Sequence, residues 1–288
     1  MVSSDSVRPT VATAEAAGGD SPVPGVADAP RPESFGGPDR EFMATLAKGL
    51  AVLGSFGESR PAMTLSEAAS ATGMSRAAAR RVLRTLAGLG YVTQKGRSFS
   101  LTPRILELGF AYLSTQSWLD RAEPLMKELS HTVKESCSAA ILQETEIVYV
   151  ARMPAPHRLM ATTIAVGTRL PAVHTSLGRI QLAFLDEAEC AAVIAASRLV
   201  AHTPQTITEP ERLLDRIRGD REQGFSIVDE ELEKGLRSIA VPIVTRSGVN
   251  VAAINLSTHA SRATVGDLAE RFLPALRLVA QQISRSLR

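Results

Sequence analysis

The stretch Thr64–Leu89, TLSEAASATGMSRAAARRVLRTLAGL, decides how the N-terminal part of the chain folds. Thr64 followed three residues later by Glu67 is a capping box, whose hydroxyl and carboxylate satisfy backbone donors left free by a first helical turn. A short helix therefore starts at Leu65, carries Leu65, Ala68, Ala69 and Ala71, and ends against Gly73, the residue type that most readily takes the left-handed conformation. Ser75 is an N-cap for a second helix, in which Ala79, Val82, Leu83, Leu86 and Leu89 recur at three- and four-residue steps and form one buried stripe. On the other face Arg76, Arg80 and Arg84 stand four apart with Arg81 beside them, so their guanidinium groups project from neighbouring turns. Arginine suits both phosphate clamping and forked contact to guanine edges. An ordinary solvated arginine face interleaves acidic partners at i±4, yet Ser75–Leu101 holds six Lys/Arg and no Asp/Glu. Two short helices with a sharp turn and an unopposed cationic face read as an element that enters DNA.

Outward from this pair, Phe42, Leu46, Leu50, Val52 and Leu53 follow a helical period and predict a supporting helix over 42–56. After Gly90, Tyr91–Gln94 and Ser98–Leu101 read as two strands around the turn Lys95-Gly96-Arg97, a wing whose basic tip lies over the sugar-phosphate backbone or an adjacent minor groove while the preceding helix enters the major groove. A surface hairpin with two basic residues is the plain alternative. The candidate DNA contacts are Thr64, Ser75, Arg76, Ala77, Arg80, Arg81 and Arg84 on the helices, and Lys95 and Arg97 in the wing.

Composition agrees with that placement. The 288 residues suffice for two domains. The formal charge of +2 hides an asymmetry: Phe42–Leu101 holds eight Lys/Arg and two Asp/Glu, hence +6, leaving −4 for the rest, so one segment alone courts polyanions. Cys137 and Cys190 stand far apart without CxxC or Cys/His spacing, which suits a reducing cytosol rather than a disulfide scaffold or zinc site. The start, MVSSDSVRPT, lacks a secretory pattern, and no apolar run reaches membrane-spanning length. A cytoplasmic protein with no membrane partner is expected. Residues 1–39 are rich in Ala, Pro, Gly, Ser and Asp and read as a disordered tail.

Further along, Pro103 opens RILELGFAYLSTQSWL, a helix apolar around much of its circumference that reads as a connector over 103–119 and as a surface for another chain. A helix over Asp120–Lys134 follows. CSAAILQETEIVYVARM then gives two strands, and MATTIAV, Met160–Val166, a third. Thr175 or Ser176 caps a helix, and further helices run over Asp186–Ala196 and Glu209–Gln223, the latter opened by a capping box of Thr208 with Glu211. FSIVD, SIAVPIV and NVAAINLS are three more strands before a long amphipathic helix over Thr264–Ser286. The fold class expected is α+β, with a sensor-like domain over 120–288 and the DNA-reading unit over 40–102.

At HTSLGR (174–179) and DEELEKGLRSIAVPI (229–243) the chain, from Arg40 onward, resembles the isocitrate lyase regulator (IclR) family of bacterial transcription factors. Within it, LAKGLAVLGSFG (46–57), SFSLTPRILELGFAYLS (98–114), ESCSAAIL (135–142), VGTRLPAVHTSLGR (166–179) and EKGLRSIAVP (233–242) look most like the branch controlling aromatic-acid breakdown through the β-ketoadipate pathway. The resemblance implies an N-terminal winged helix-turn-helix and a C-terminal GAF-like effector domain with a mostly antiparallel sheet. It also implies homodimers, or dimers of dimers, on palindromic operators. The effector positions it carries over are Ser176, Leu177, Gly178, Asp229, Ser238, Asn255 and Ser257. Ser238 stands where glyoxylate-type regulators have cysteine and Asn255 where they have serine, which disfavours glyoxylate.

The chemistry of those positions suits a small aromatic or keto carboxylate. Amides from Ser176 to Gly178 at a helix start can hold a carboxylate. Ser238, Asn255 and Ser257 offer hydroxyl and amide groups to phenolic or keto oxygens, while Leu177 and Met160 can cover a ring face. Equally, Ser and Asn on strands often cap a sheet edge or bind water. His174 either meets the anion or is a local structural hydrogen-bonder. Arg179 and Arg237 pair with the ligand or with Asp229, Glu230 or Glu231, and DEELE reads as a solvated turn rather than a metal site. No nucleophile elbow, phosphate loop, metal spacing or cofactor motif appears. A ligand-responsive transcription regulator is expected; the alternatives are an enzyme with a catalytic C-terminal domain and a constitutive architectural DNA binder.

Overall fold

The computed structural model describes residues 42–57, 59–155, 164–285 and 287. The expected tail, residues 1–39, lies outside them.

Three helices, α1 (Ala44–Gly54), α2 (Leu65–Ala71) and α3 (Arg76–Gly88), close on an apolar centre of Val52, Met63, Ala68, Val82, Leu83, Leu86 and Phe99. The capping box forms as its spacing dictates: Thr64 Oγ1 accepts from the Glu67 amide at 3.3 Å and Glu67 Oε2 accepts from the Thr64 amide at 2.6 Å. The sharp turn into α3 is a Schellman motif, with Met74 N–H on Ala69 O, Gly73 N–H on Ser70 O, and Gly73 at φ +65°. A strand that the sequence pattern did not announce, β1 (Ala62–Thr64), runs directly into that cap. It pairs antiparallel with β3 (Ser98–Leu101), which pairs with β2 (Val92–Lys95), so the wing is a three-stranded sheet in the order β1-β3-β2.

The wing is tied to the end of the reading helix. Thr102 Oγ1 donates to Gly90 O at 2.5 Å, Arg104 Nη1 donates to Leu89 O at 2.7 Å, and the Arg104 guanidinium lies 5.3 Å from the Tyr91 ring centre. The connector is shorter than its apolar run suggested. α4 covers Ile105–Leu113 and α5 begins only at Leu119, ending at Val133. Between them the Ser114 and Thr115 hydroxyls turn back onto the Ala111 and Tyr112 carbonyls, which lets short polar side chains compete with helix continuation.

The C-terminal unit is a six-stranded antiparallel sheet in the order β6-β5-β4-β9-β8-β7, formed by β4 (Ser136–Gln143), β5 (Glu146–Met153), β6 (Arg169–Pro171), β7 (Ser226–Asp229), β8 (Leu236–Val244) and β9 (Asn250–His259). Alternation along the strands sorts their side chains between two cores. Ala139, Ile239, Val241, Ile254 and Leu256 face α5 and α10 (Leu273–Ser284); Ala140, Tyr149, Ala240 and Ala253 face α6 (Ser176–Leu182), α7 (Glu187–Ala196) and α8 (Pro210–Gln223). The expected α+β class with an antiparallel sheet is what the chain adopts. Cys137 and Cys190 are buried free thiols, and burial pushes the Cys137 thiol up to about 12. Among the described residues no helix is long and apolar enough to cross a membrane.

Four local expectations fail. Leu89, read as the end of the buried stripe, is exposed, because α3 stops at Gly88 and Leu89 is its cap. The strand read over Met160–Val166 is not one where it is described: Ile164 and Ala165 are irregular and Val166–Gly167 is a turn, residues 160–163 lie outside the described residues, and the edge strand comes at Arg169–Pro171. The box of Thr208 with Glu211 is absent, because Pro210 occupies the first turn and the cap shifts to Glu209 without a side-chain bond. The C-terminal helix is not continuous. After a capping box of Thr264 with Asp267 and the short α9 (Val265–Asp267), Leu268–Phe272 widens into a π turn. Pro274, just beyond, supplies no amide and crowds the carbonyl four residues back, a standard cause of such widening.

Candidate functional site

Two surfaces collect the candidate residues. On the first, Val82, Leu83 and Leu86 point into the core, so helical geometry turns Arg76, Ala77, Arg80, Arg81 and Arg84 outward, and all five are exposed. Ser75 is exposed and its hydroxyl accepts from the Ala78 amide at 3.2 Å, while the half-buried Thr64 caps α2. Lys95 and Arg97 flank Gly96 at the exposed wing tip. Among the described residues none of these six cations is in an ion pair. Their charge is therefore fully available to a polyanion.

The second surface arises from strand register. Arg152 on β5 stands opposite Ser138 on β4, and Ser138 opposite Asn255 on β9; in the next row on that face Ser136, Ser257 and Ser238 are cross-strand neighbours. One end of the sheet face toward α6 is thus polar, whereas Ala140, Ala240, Ala253 and Tyr149 continue that face into the core. A 3-10 turn, Ala172–His174, and the start of α6 roof this end and leave a cavity of about 50 Å³, room for several waters. Ser176 Oγ reaches Ser238 Oγ at 2.8 Å, Asn255 Nδ2 donates to Ser257 Oγ at 3.1 Å, and Arg152 Nη1 donates to Ser138 Oγ at 3.4 Å.

Several groups on this wall find no hydrogen-bond partner among the described residues. His174 is fully buried, and neither its ring nitrogens nor the Asn255 Oδ1 acceptor has a partner among the described residues. Burial, with Arg179 and His202 nearby, holds the His174 pKa down at about 4, so its ring is neutral at physiological pH. His202 packs edge-on against it at 5.5 Å between ring centres. Burial also lowers the Arg152 guanidinium from its ordinary value, partly offset by Tyr149, whose phenol burial pushes up to about 12.

Of the candidate effector residues, His174, Ser176, Ser238, Asn255 and Ser257 meet at the cavity. Leu177 does not: its side chain is buried in the apolar layer of Ile147, Leu170 and Ile180. Gly178 does not either. Its amide donates to Thr175 Oγ1 at 3.0 Å, which removes it as an anion donor, and a Cβ there would fall 2.2 Å from Ala172 O, so glycine serves the close packing of α6 on the preceding turn. Asp229 is held by Arg237 at the end of β7, and its neighbour Val228 faces the cavity instead. Met160 lies outside the described residues. DEELE is no solvated turn: Glu231 is buried and takes both Nη atoms of the fully buried Arg179, at 2.7 and 2.5 Å, while Arg179 Nε donates to Val173 O. That pair ties the roof of the cavity to the loop between β7 and β8. Among the described residues no group of three His, Cys, Asp or Glu is placed to hold a metal ion. Tyr149, Arg152 and Glu233 on the cavity wall were missed. The available signal was one arginine inside the otherwise apolar strand IVYVARM.

Comparison with known proteins places both units of the chain in one family. Residues 45–96 match the family model described as the IclR helix-turn-helix domain, and residues 110–285 the model for the bacterial transcriptional regulator IclR C-terminal region. The chain is 42% identical over 259 residues to the Pca regulon regulatory protein of Pseudomonas putida, covering 90% of this chain and 89% of that one. A putative transcriptional regulator from Rhodococcus sp. RHA1 of known structure is 45% identical with a TM-score of 0.76, covering 85% of this chain and 98% of that one. An IclR homologue from Microbacterium hydrocarbonoxydans, solved with 4-hydroxybenzoate, superimposes with a TM-score of 0.75 at 25% identity, covering 85% of this chain and 99% of that one.

Proposed function

The chain belongs to the IclR family of bacterial transcriptional regulators, and from that premise we propose that a small aromatic or keto carboxylate sets its occupancy of a palindromic operator in the cytoplasm. The observation that carries the effector half is the cavity itself. A fully buried histidine and a buried amide oxygen that find no partner among the described residues are costly to leave unpaired, and both gain from a ligand that pairs with them. His174, Ser176, Ser238, Asn255 and Ser257 form the effector site. The kinship with regulators of aromatic-acid catabolism supports the ligand class.

In this reading residues 40–102 form the DNA-reading unit, 103–119 the connector and 120–288 the effector unit. Arg76, Arg80, Arg81 and Arg84, with Ala77 and the caps Thr64 and Ser75, lie along the major groove, and Lys95 and Arg97 hold the backbone beside it. The protein works as a homodimer or dimer of dimers, joined in part through α1 and α4. On α4, Leu106 and Phe110 are 69% and 70% exposed and no residue is buried, and Met43, Leu46 and Leu50 are exposed around α1. Such a surface is covered by another copy rather than by water. The chain acts through binding, as a regulator and not as an enzyme: the effector favours one arrangement of two reading heads over another and thereby shifts operator affinity.

The test is operator binding to promoter fragments from the protein's own locus, with and without protocatechuate, 4-hydroxybenzoate and β-ketoadipate. Salt-sensitive binding that at least one acid changes by about 5- to 150-fold is expected, the usual size of such coupling. No response to any of the three removes the small-acid reading, and no salt-sensitive binding removes the operator reading.

A further inference from the structure

Behind the cavity lies the buried ion pair of Arg179 on α6 with Glu231, and neither partner lines the cavity itself. Taking two charges out of water costs about as much as their attraction returns, so such a pair speaks less for stability than for a fixed registry. What it registers is three segments distant in sequence. Arg179 Nε donates to Val173 O at 2.7 Å, one residue before His174 in the roof turn. Glu231 lies in the loop between β7 and β8, whose next residues, Leu232 and Glu233, line the cavity. Its Oε2 also accepts from the Ile207 amide at 3.2 Å, while Thr203 Oγ1 donates to Glu230 O at 2.6 Å and Thr206 Oγ1 to Glu231 O at 2.5 Å. That third segment, between α7 and α8, carries His202, which packs on His174.

The loop so held is strained. Glu230 stands at φ +55°, in the left-handed region that a non-glycine residue adopts at a cost and keeps only where its surroundings hold it. Its holders are the Thr203 hydroxyl on its carbonyl and the Gly235 amide, which donates to its carboxylate at 2.8 Å. Resting on the effector reading above, we infer that Arg179 and Glu231 are positioning residues of the effector site. They latch the β7–β8 loop and residues 202–207 onto the roof turn and so hold the cavity in its binding arrangement, without touching the ligand. Their action is on the fraction of molecules whose wall and roof are assembled, and apparent affinity scales with that fraction whatever acid enters. A residue that contacts the acid changes the ranking of one acid against another; a latch weakens all by one factor. If loss of the latch leaves about 1–10% of molecules assembled, a common population for a minor state, every acid weakens by about tenfold to a hundredfold.

Calorimetric titration of the full chain with protocatechuate, 4-hydroxybenzoate and β-ketoadipate tests this, in the wild type and in Arg179→Met/Glu231→Leu. That double variant replaces the pair by apolar groups of similar volume and so strands no buried charge. It is expected to melt as a folded protein within a few degrees of the wild type, and to bind each acid that the wild type binds about tenfold to a hundredfold more weakly, by one common factor. Thr206→Val, which cuts one tie of the loop without removing a charge, is expected to weaken the acids by a smaller common factor, and it carries the test alone if the double variant does not fold. Wild-type affinities in a folded double variant, or in Thr206→Val where the double variant is unfolded, overturn the proposal and leave the effector reading standing. A changed ranking of the acids overturns it in the same way, because the pair would then contact the ligand. A wild type that binds none of the three acids overturns the effector reading and this inference with it.

Discussion

Replacing Arg80 by alanine separates two ways in which α3 can engage DNA, and the size of each follows from the unopposed cations. One reading head exposes Arg76, Arg80, Arg81, Arg84, Lys95 and Arg97. Each phosphate contact adds about 0.9 to the slope of log affinity against log salt, so six per head give a limit of about −5, and two heads about −11. If Arg80 holds a phosphate, Arg80→Ala in a dimer flattens the slope by about 1.8, which over a fourfold rise in salt amounts to about one decade of affinity, and operator and random DNA weaken alike. If Arg80 forks onto a guanine edge, the slope is retained and the loss, about 1–3 kcal/mol per head, is confined to the operator. Fluorescence anisotropy of operator and scrambled duplexes between 50 and 200 mM NaCl resolves the two. Alanine at Arg76, Arg80, Arg81 and Arg84, each in turn, leaving affinity and slope unchanged on both duplexes would refute the assignment of this face to DNA.

Two further outcomes follow from the cavity. His174 titrates near 6.5 when unfolded and about 4 when buried, so the unfolded chain binds the extra proton as pH falls. Stability is fully present above 6.5 and drops by about 3 kcal/mol by pH 4; urea unfolding of the ligand-free chain checks this, and His174→Phe following the same pH profile as the wild type would contradict it. Gly178→Ala puts a Cβ at 2.2–2.5 Å from the backbone of Ala172, so it is expected to cost about 1–3 kcal/mol or more and to weaken effector binding by moving the turn that carries His174. A melting temperature equal to that of the wild type would show that α6 can slide away freely.

Most of what was legible in the sequence is local, although the local box read at Thr208 and Glu211 gave way to Pro210. The two boxed or capped helix starts, the turn at Gly73 and the arginine stripe are written within a few residues of one another, and each formed where its spacing placed it. β1 was invisible because three residues show no alternation, and its partner lies 34 or more positions downstream. The cavity divides along the same line. Ser238, Asn255 and Ser257 were reached through likeness to a family, but Arg152 enters through register, two strands across from Asn255, which no single strand displays. Leu177 and Gly178 failed for a complementary reason. Successive helical residues point about 100° apart, so neighbours of Ser176 in sequence face the core or the preceding turn instead of the cavity.

The bond from Arg104 to the Leu89 carbonyl, at the cap of α3, has a mechanical meaning. The base of α4 is bolted to the reading helix, whereas its far end meets α5 through five residues, 114–118, that are not helical. If those residues act as a swivel, α4, nine residues and thus about 13.5 Å long, is the arm. A turn of about 15° at the swivel carries the bolted end about 3.5 Å sideways, close to one base step along a strand. Loosening the bolt with Arg104→Ala would let the arm move without the head, and operator binding would then go deaf to whatever fills the cavity.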